Sequence, residues 1–177
     1  STTAGAVSGT KVTMKDALQE RDIEISKVDA TDGVTELAGA ELQITDEAGN
    51  VVKDKAGNDL SWVSGDDGTN EDGTVKPHKV KLVAGTYTLS EVTPPTGYDT
   101  AKSITFTVAL DGTVTSTTAG AVSGTKVTMK DALQERDIEI SKVDATDGVT
   151  ELAGAELQIT DEAGNVVKDK AGNALSW

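Results

Sequence analysis

The chain contains no cysteine, so no disulfide can stabilise its fold. Aromatic residues are scarce as well, and the core must therefore consist mainly of valine, isoleucine, leucine and alanine; the five aromatics are Trp62, Tyr87, Tyr98, Phe106 and Trp177. Basic residues are outnumbered: 16 Lys and Arg stand against 30 Asp and Glu, and the net charge is −14. This charge argues against nucleic acid and anionic membranes as partners.

Targeting and metal-binding signals are also missing. We find no signal peptide, no sorting signal and no apolar run long enough to span a membrane, although such segments of a longer protein would lie elsewhere. His78 is the only histidine, which excludes zinc sites and histidine-based catalysis within one chain. The acidic loop 65–73 has oxygen ligands suitable for calcium but lacks EF-hand spacing, so we expect a solvated loop. We expect no metal and no cofactor.

The chain does contain a long internal repeat. Residues 1–62 recur 115 positions later as residues 116–177, and the single difference is Asp59, which becomes Ala174. Such identity predicts a window on a tandem array of near-identical domains, each too long to be a solenoid unit. We therefore divide the chain into 1–20, the C-terminal strand region of one repeat; 21–133, a complete domain; and 134–177, the N-terminal half of the next repeat.

The complete repeat shows short runs of alternating apolar and polar residues, separated by turn signals. This pattern predicts strands at Arg21–Val28, 40–44, 60–62, 80–83, 86–91, 104–108 and Lys126–Asp131. The sequence LDGT at 110–113 predicts a hairpin turn. No segment has a helical period of useful length. We expect an all-β sandwich of about seven strands per repeat, with a short and stiff join between repeats.

Three predicted strands end their apolar face on an ionisable residue. The first strand places Lys27 in register with Ile23 and Ile25, and two later strands end in the same way on Glu91 and Asp131. Isolated buried charges are costly, so these residues require compensation or neutralisation. They form a buried ionic network, or they reach solvent at the sheet edge, or Lys27 and Asp131 are joined covalently.

Covalent joining has a simple chemical basis. Desolvation favours the neutral forms of both amine and carboxylic acid, which makes one a nucleophile and the other an electrophile. A second acid beside them, Glu91, can then move protons while an amide forms between Lys27 and Asp131. The equivalent residues of the flanking copies are Asp16 and Lys142, and neither flank contains a complete set. Neighbouring molecules or a continuous filament would have to complete them.

Several segments resemble a known family. ISKVDATDG, ELAGAELQI, GTYTLSEVTPPTGY, SITFTV and KVTMKDAL together are similar to a CnaB-type domain, the B-repeat module of Gram-positive collagen adhesins and pilins. The resemblance implies a transthyretin-like (prealbumin-like) β-sandwich with an isopeptide bond. It places the reactive lysine on Lys27, the catalytic glutamate on Glu91 and the acceptor on Asp131. A pilin-type lysine motif for sortase polymerisation is missing.

The sequence thus predicts a structural stalk repeat of a bacterial surface adhesin or fibre, extracellular and anchored to the cell wall. Its partners would be adjacent repeats and neighbouring chains, with an unknown host ligand. The only chemistry we expect is single-turnover bond formation, so the chain is not predicted to be an enzyme. The alternative is a repeat that binds a host protein or glycan multivalently.

Overall fold

A computed structural model describes residues 6–8, 11–13, 18–169 and 171–177. The chain forms two compact units, Ser1–Glu135 and Arg136–Trp177. No helix occurs in the described ranges, and therefore none that could cross a membrane. The strands are β1 (Ala6–Ser8), β2 (Lys11–Thr13), β3 (Arg21–Asp29), β4 (Glu41–Asp46), β5 (Ser61–Val63), β6 (His78–Leu82), β7 (Gly85–Thr93), β8 (Ile104–Val108), β9 (Val114–Ser116), β10 (Val122–Ser123) and β11 (Lys126–Asp131).

The first unit is the predicted all-β sandwich with a prealbumin-like fold. One sheet has the strand order β10-β11-β3-β6, the other has the order β5-β4-β7-β8-β9, and β1 and β2 form a separate hairpin. Alternating apolar residues from both sheets form one core, because period-two side chains of each strand share a face. The core residues include Ile23, Leu42, Leu89, Phe106 and Met129, each at most 1% exposed.

The first and last strands of the complete repeat lie side by side. β3 pairs with β11 in parallel, with Ile25 opposite Val127 and Lys27 opposite Met129. The other neighbouring strands of this sheet are antiparallel, and β6 pairs with β3 on the side away from β11. Residues on both faces of β3 are buried, among them the neighbours Ser26 and Lys27. This arrangement brings the ends of β3 and β11 together in the interior of the sandwich.

Two strands were not predicted. The structure has nine strands between Arg21 and Asp131, where the pattern predicted about seven, because β9 and β10 contain only three and two residues. In neither strand is the valine followed two positions later by a second apolar residue, so neither shows alternation. The predicted LDGT turn is confirmed as the β8–β9 connection, in which Gly112 has φ +91° and donates to Ala109 O at 2.9 Å. A side chain at that φ is strained, so glycine is required.

The second unit repeats the loops of the first without its sheets. The Val28–Glu36 bridge recurs as Val143–Glu151, and the Thr45–Val51 bridge recurs as Thr160–Val166. Residues 136–142, the copy of the first part of β3, form no strand. The given sequence contains no second copy of β6 or β7, and a strand needs partners for its backbone hydrogen bonds. Turns, in contrast, are closed by local bonds alone.

The Asp59/Ala174 difference lies on an exposed bridge. Asp59 contacts the Lys53 amine, and both side chains are more than half exposed. The second copy keeps the same backbone bridge between Lys168 and Ala174. An exposed ion pair contributes little, so its loss is tolerated.

Candidate functional site

Three ionisable side chains meet inside the sandwich. Lys27 is 2% exposed, Glu91 is 8% exposed and Asp131 is fully buried. Lys27 Nζ contacts Asp131 Oδ1 and lies 3.0 Å from Glu91 Oε1. The alternative in which each charge reaches solvent at a sheet edge is therefore excluded. The structure brings together the three residues that the strand pattern selected.

Each of the three side chains comes from a different strand. Lys27 follows Ile25 on the inward face of β3, and Asp131 follows Met129 on the inward face of β11. Because β3 and β11 are parallel with Lys27 opposite Met129, Lys27 and Asp131 are diagonal neighbours on one face. Glu91 comes from β7 in the opposite sheet. The site therefore links the two sheets and the two terminal strands of the repeat.

The two carboxyl groups are bound differently. Glu91 Oε2 accepts a hydrogen bond from Ala101 N–H at 2.7 Å, which directs Oε1 to the lysine. Glu91 Oε1 is close to Nζ but is not aligned with it as a regular hydrogen bond. Asp131 Oδ2 is buried and has no hydrogen-bond partner among the described residues. An ionised Asp131 would thus hold charge on a buried oxygen that no described protein group compensates.

Burial determines the electrostatics of the lysine. Desolvation lowers the pKa of Lys27 below its ordinary value of 10.5, and the nearby Glu91 carboxyl opposes that change. Desolvation is the larger effect because the amine is almost fully buried, so the neutral form is favoured more than it is for a lysine in water. A neutral amine in contact with a carboxyl group is the arrangement needed for amide formation.

Glu36 is a residue of this site that the sequence pattern did not identify. Its Oε2 accepts the Lys27 backbone N–H at 3.0 Å, and its Oε1 contacts the Ser26 hydroxyl. Lys126 of β11 lies 3.7 Å from the same carboxylate. Glu36 thereby connects its own loop to both β3 and β11 beside Lys27. This segment was noted only because its sequence, ELAGA, resembles the known family. No apolar–polar alternation points to its glutamate.

A second connection holds the chain after Asp131. Tyr98 OH donates to Asp29 Oδ2 at 2.8 Å, which raises the pKa of Tyr98. The backbone on either side of Tyr98 pairs with the segment that leaves β11, through Asp99 N to Ala132 O at 2.9 Å and Gln134 N to Gly97 O at 2.8 Å. The loop after Glu91 therefore holds the segment that follows β11 in place.

Of the two repeat equivalents, only Lys142 lies among the described residues. Lys142 lies in the second unit, where its side chain is exposed. Its backbone still accepts Leu152 N–H at 2.7 Å, as Lys27 accepts Leu37 N–H at 2.7 Å. Asp16 lies outside the described residues. In the described ranges no group of three or more His, Cys, Asp or Glu side chains is arranged to hold a metal ion.

Comparison with known families identifies the fold of this site. The sequence profile of the family described as "SpaA: Prealbumin-like fold domain" matches residues 21–122, more than half of the chain. The chain belongs to this family. SpaA-type prealbumin-like domains are parts of pilins and adhesins and are not enzymes. A comparison with curated protein sequences gives no match.

Several solved structures are similar to the chain. The Bacillus anthracis TIE protein is 32% identical with a TM-score of 0.51, over 84% of this chain and 24% of its own. Pilus adhesin SpaC from Lactobacillus rhamnosus GG is 22% identical with a TM-score of 0.48, over 76% and 18%. A streptococcal ancillary pilin is 24% identical with a TM-score of 0.46, over 67% and 31%. The SpaA-type chain thus spans less than a third of each of these proteins.

Proposed function

We propose that this SpaA-type chain is a stalk repeat of a bacterial cell-surface adhesin or fibre, locked by a spontaneous Lys27–Asp131 isopeptide bond. One observation supports this most strongly: Lys27, Glu91 and Asp131, from three strands, meet in the buried interior of the sandwich. The resemblance to CnaB modules selects the same residues. The protein would be extracellular, fixed to the cell wall, with adjacent repeats as its structural partners.

The proposed reaction is a condensation that needs no cofactor. The neutral Lys27 amine attacks Cγ of Asp131, and one carboxyl oxygen leaves as water with two protons, leaving an amide. Glu91 is placed to move a proton between the amine and the leaving oxygen, since its Oε1 lies 3.0 Å from Nζ. The fold supplies the rate by holding the reacting groups in contact.

An ionic network is the competing account of the same geometry. Such a network would hold one ammonium and two carboxylates away from water, with one oxygen of Asp131 unpartnered. Buried ion pairs stabilise weakly because desolvation offsets the Coulomb attraction. An amide removes the charges of Lys27 and Asp131 together. This balance favours the covalent account.

The position of the bond suggests its mechanical role. β3 and β11 are the strands through which tension along the array enters and leaves the domain. A bond between them carries force directly from one to the other, so the 104 positions from Lys27 to Asp131 are shielded. The domain would then resist unravelling under load.

Single-molecule pulling tests this role. A locked domain should show no extension from the segment between Lys27 and Asp131, whereas an Asp131→Ala chain should gain roughly 350 Å, at about 3.4 Å per residue. Full extension of the wild-type domain would contradict the stalk proposal. The matched variant shows that the instrument detects unfolding in the same chain.

Ligand binding by the repeats is a second proposal, supported by the near identity of the two copies. Identical modules in series raise apparent affinity by multivalency. Pull-down of matrix proteins with one repeat and with three would show a large gain for three if the repeats bind. No capture by either would leave the structural role alone.

A further inference from the structure

The sandwich has an open side where two edge strands face each other. β5 is the edge of the five-stranded sheet and β6 is the edge of the four-stranded sheet. Trp62 of β5 and His78 of β6 stack across this gap, with ring centroids 4.2 Å apart and planes inclined by 20°. The stack is the contact that closes this side of the core.

Strand register aligns the stack with the reactive groups. Trp62 lies opposite Leu42, which lies opposite Glu91, so the three form one row across their sheet. In the other sheet His78 lies opposite Ile25, two positions before Lys27. Directly opposed residues share a face, so both rings point to the interior that contains Lys27.

A small cavity lies between the stack and the lysine. It has a volume of about 10 Å³, and its walls include Lys27, Glu36, Ser64, Trp62 and His78. This volume holds about one water molecule. The Trp62 indole N–H is buried and has no hydrogen-bond partner among the described residues, so it is a donor available to such a water.

The acidic loop 65–73 contacts the His78 ring of the stack. His78 Nδ1 lies 2.6 Å from Asp67 Oδ2, and Asp67 belongs to the 65–73 loop. Gly65 begins this loop in close contact with Ala38, where an added Cβ would lie 2.8 Å from the alanine Cβ. The loop is thus fixed at both Gly65 and Asp67, which gives it a role that does not involve metal.

We propose that Trp62 and His78 are positioning residues that close the Lys27 site against bulk water and leave room for a single water molecule. The inference rests on the proposed isopeptide function. In that reaction the stack keeps bulk water from the Lys27 amine, and the cavity beside the amine has room for one water molecule. Asp67 acts through His78 by fixing its ring.

Protonation of Lys27 is the property that this closure controls. The charged and titratable groups that face Lys27 are Glu91 from β7, Asp131 from β11 and Glu36 from the loop after β3. His78 and Lys76 lie at the cavity wall. Removing the stack admits water but leaves the carboxyl groups in place. The amine then returns towards its ordinary pKa of 10.5, and less of it is neutral at a given pH.

The test measures the pH profile of bond formation. Unreacted full chain, collected in denaturant from brief cell-free synthesis, is refolded by dilution between pH 6 and pH 9. Samples are quenched in acid, and the fraction lighter by one water is followed by intact mass. Trp62→Ala should react at least tenfold more slowly than wild type at pH 7. Its profile should shift by at least one pH unit to higher pH, so that raising the pH restores the rate.

Trp177→Ala is the matched control, because Trp177 occupies the equivalent position in the second copy. It should keep the wild-type profile. Trp62→Phe retains a ring in the stack and should keep the wild-type midpoint, whereas His78→Ala should shift it as Trp62→Ala does. If Trp62→Ala does not fold, His78→Ala decides the matter, since His78 lies at the sheet edge.

The outcomes separate the two proposals. Wild-type chain that never loses water contradicts the isopeptide function itself. Wild-type chain that loses water, with unshifted profiles in folded Trp62→Ala and His78→Ala, overturns only the closure by the stack. Shifted profiles in these variants and an unshifted one in Trp177→Ala support it.

Discussion

Lys27 shows how a single residue departs from its ordinary chemistry because of its place in a strand. It ends an apolar face of β3, and the fold buries it between two sheets beside Glu91 and Asp131. The sequence predicted this grouping because each of the three residues ends an alternating register. It did not predict Glu36 or the Trp62–His78 stack, since these contacts depend on loop paths and on which edges face each other.

Removing the acceptor should leave a buried amine whose titration affects stability. Desolvation lowers the pKa of Lys27 in the folded chain below its ordinary value of 10.5, and the same direction is expected in Asp131→Ala because the amine stays buried. Between these two values the unfolded chain binds more protons, so the free energy of unfolding should rise with pH, by at most about 1.4 kcal/mol per pH unit. Urea titrations from pH 7 to pH 10 measure this slope.

The control is the double variant Lys27→Met with Asp131→Ala. It has no amine to titrate at this position, so its free energy of unfolding should not rise with pH in this way. Wild type should also lack this rise if its amine is already part of an amide. An equal slope in single and double variants would show that other groups cause the pH dependence.

At the scale of elements, loops and strands behave differently in the two copies. The loop 29–36 and its copy 144–151 have the same internal backbone bonds, and the first is also bonded to β11 through Ala30 N–H and Asp131 O at 2.7 Å. Alternation predicted β3, β4, β7, β8 and β11 well, because each of those strands has at least five residues and repeats apolar residues at every second position. It missed β9 and β10, whose length is decided by tertiary pairing and not by local pattern.

Self-contained loops should titrate alike in both copies. Hydrogen bonds from Thr35, through side chain and backbone, and from Val34 lower the pKa of Asp32 to about 2, and the corresponding bonds lower Asp147 to about 2. The stabilisation that each carboxylate gives its loop is present above pH 3.8 and is lost as pH falls through about 2. NMR titration of the Asp carboxyl carbons measures both values.

An Asp147 that titrates near 3.8 beside an Asp32 near 2 would show that the loop needs its sheet. Thr35→Val and Thr150→Val are matched variants, and each should raise the pKa of its own aspartate only. The two loops thus test local folding within one molecule.

At the scale of the whole molecule, the internal repeat predicts a multi-domain array, and the fold within one period followed from patterning and resemblance. The domain boundaries 1–20, 21–133 and 134–177 stay a prediction. The parallel register of β3 and β11 brings together residues that the apolar–polar pattern identifies only one strand at a time. It joins the two ends of one domain, and in an array that connection recurs in every repeat.

The bond should also stabilise the domain thermodynamically. It closes a loop spanning 104 positions, for which the chain-entropy estimate is about 4–5 kcal/mol. Glu91→Gln, which keeps Lys27 and Asp131 but lacks the acid, should therefore unfold at lower denaturant concentration than wild type. Guanidinium titrations measure the difference, and coincident curves would mean that no such cross-link restrains the unfolded chain.

The most direct measurement is the intact mass of the denatured chain beside that of Glu91→Ala. The account predicts that wild type is lighter than its sequence by one water, that the variant has its full sequence mass, and that fragment mapping joins Lys27 to Asp131. A wild-type chain at full sequence mass would contradict the covalent account, and the three buried groups would then be an ionic network in an ordinary sandwich.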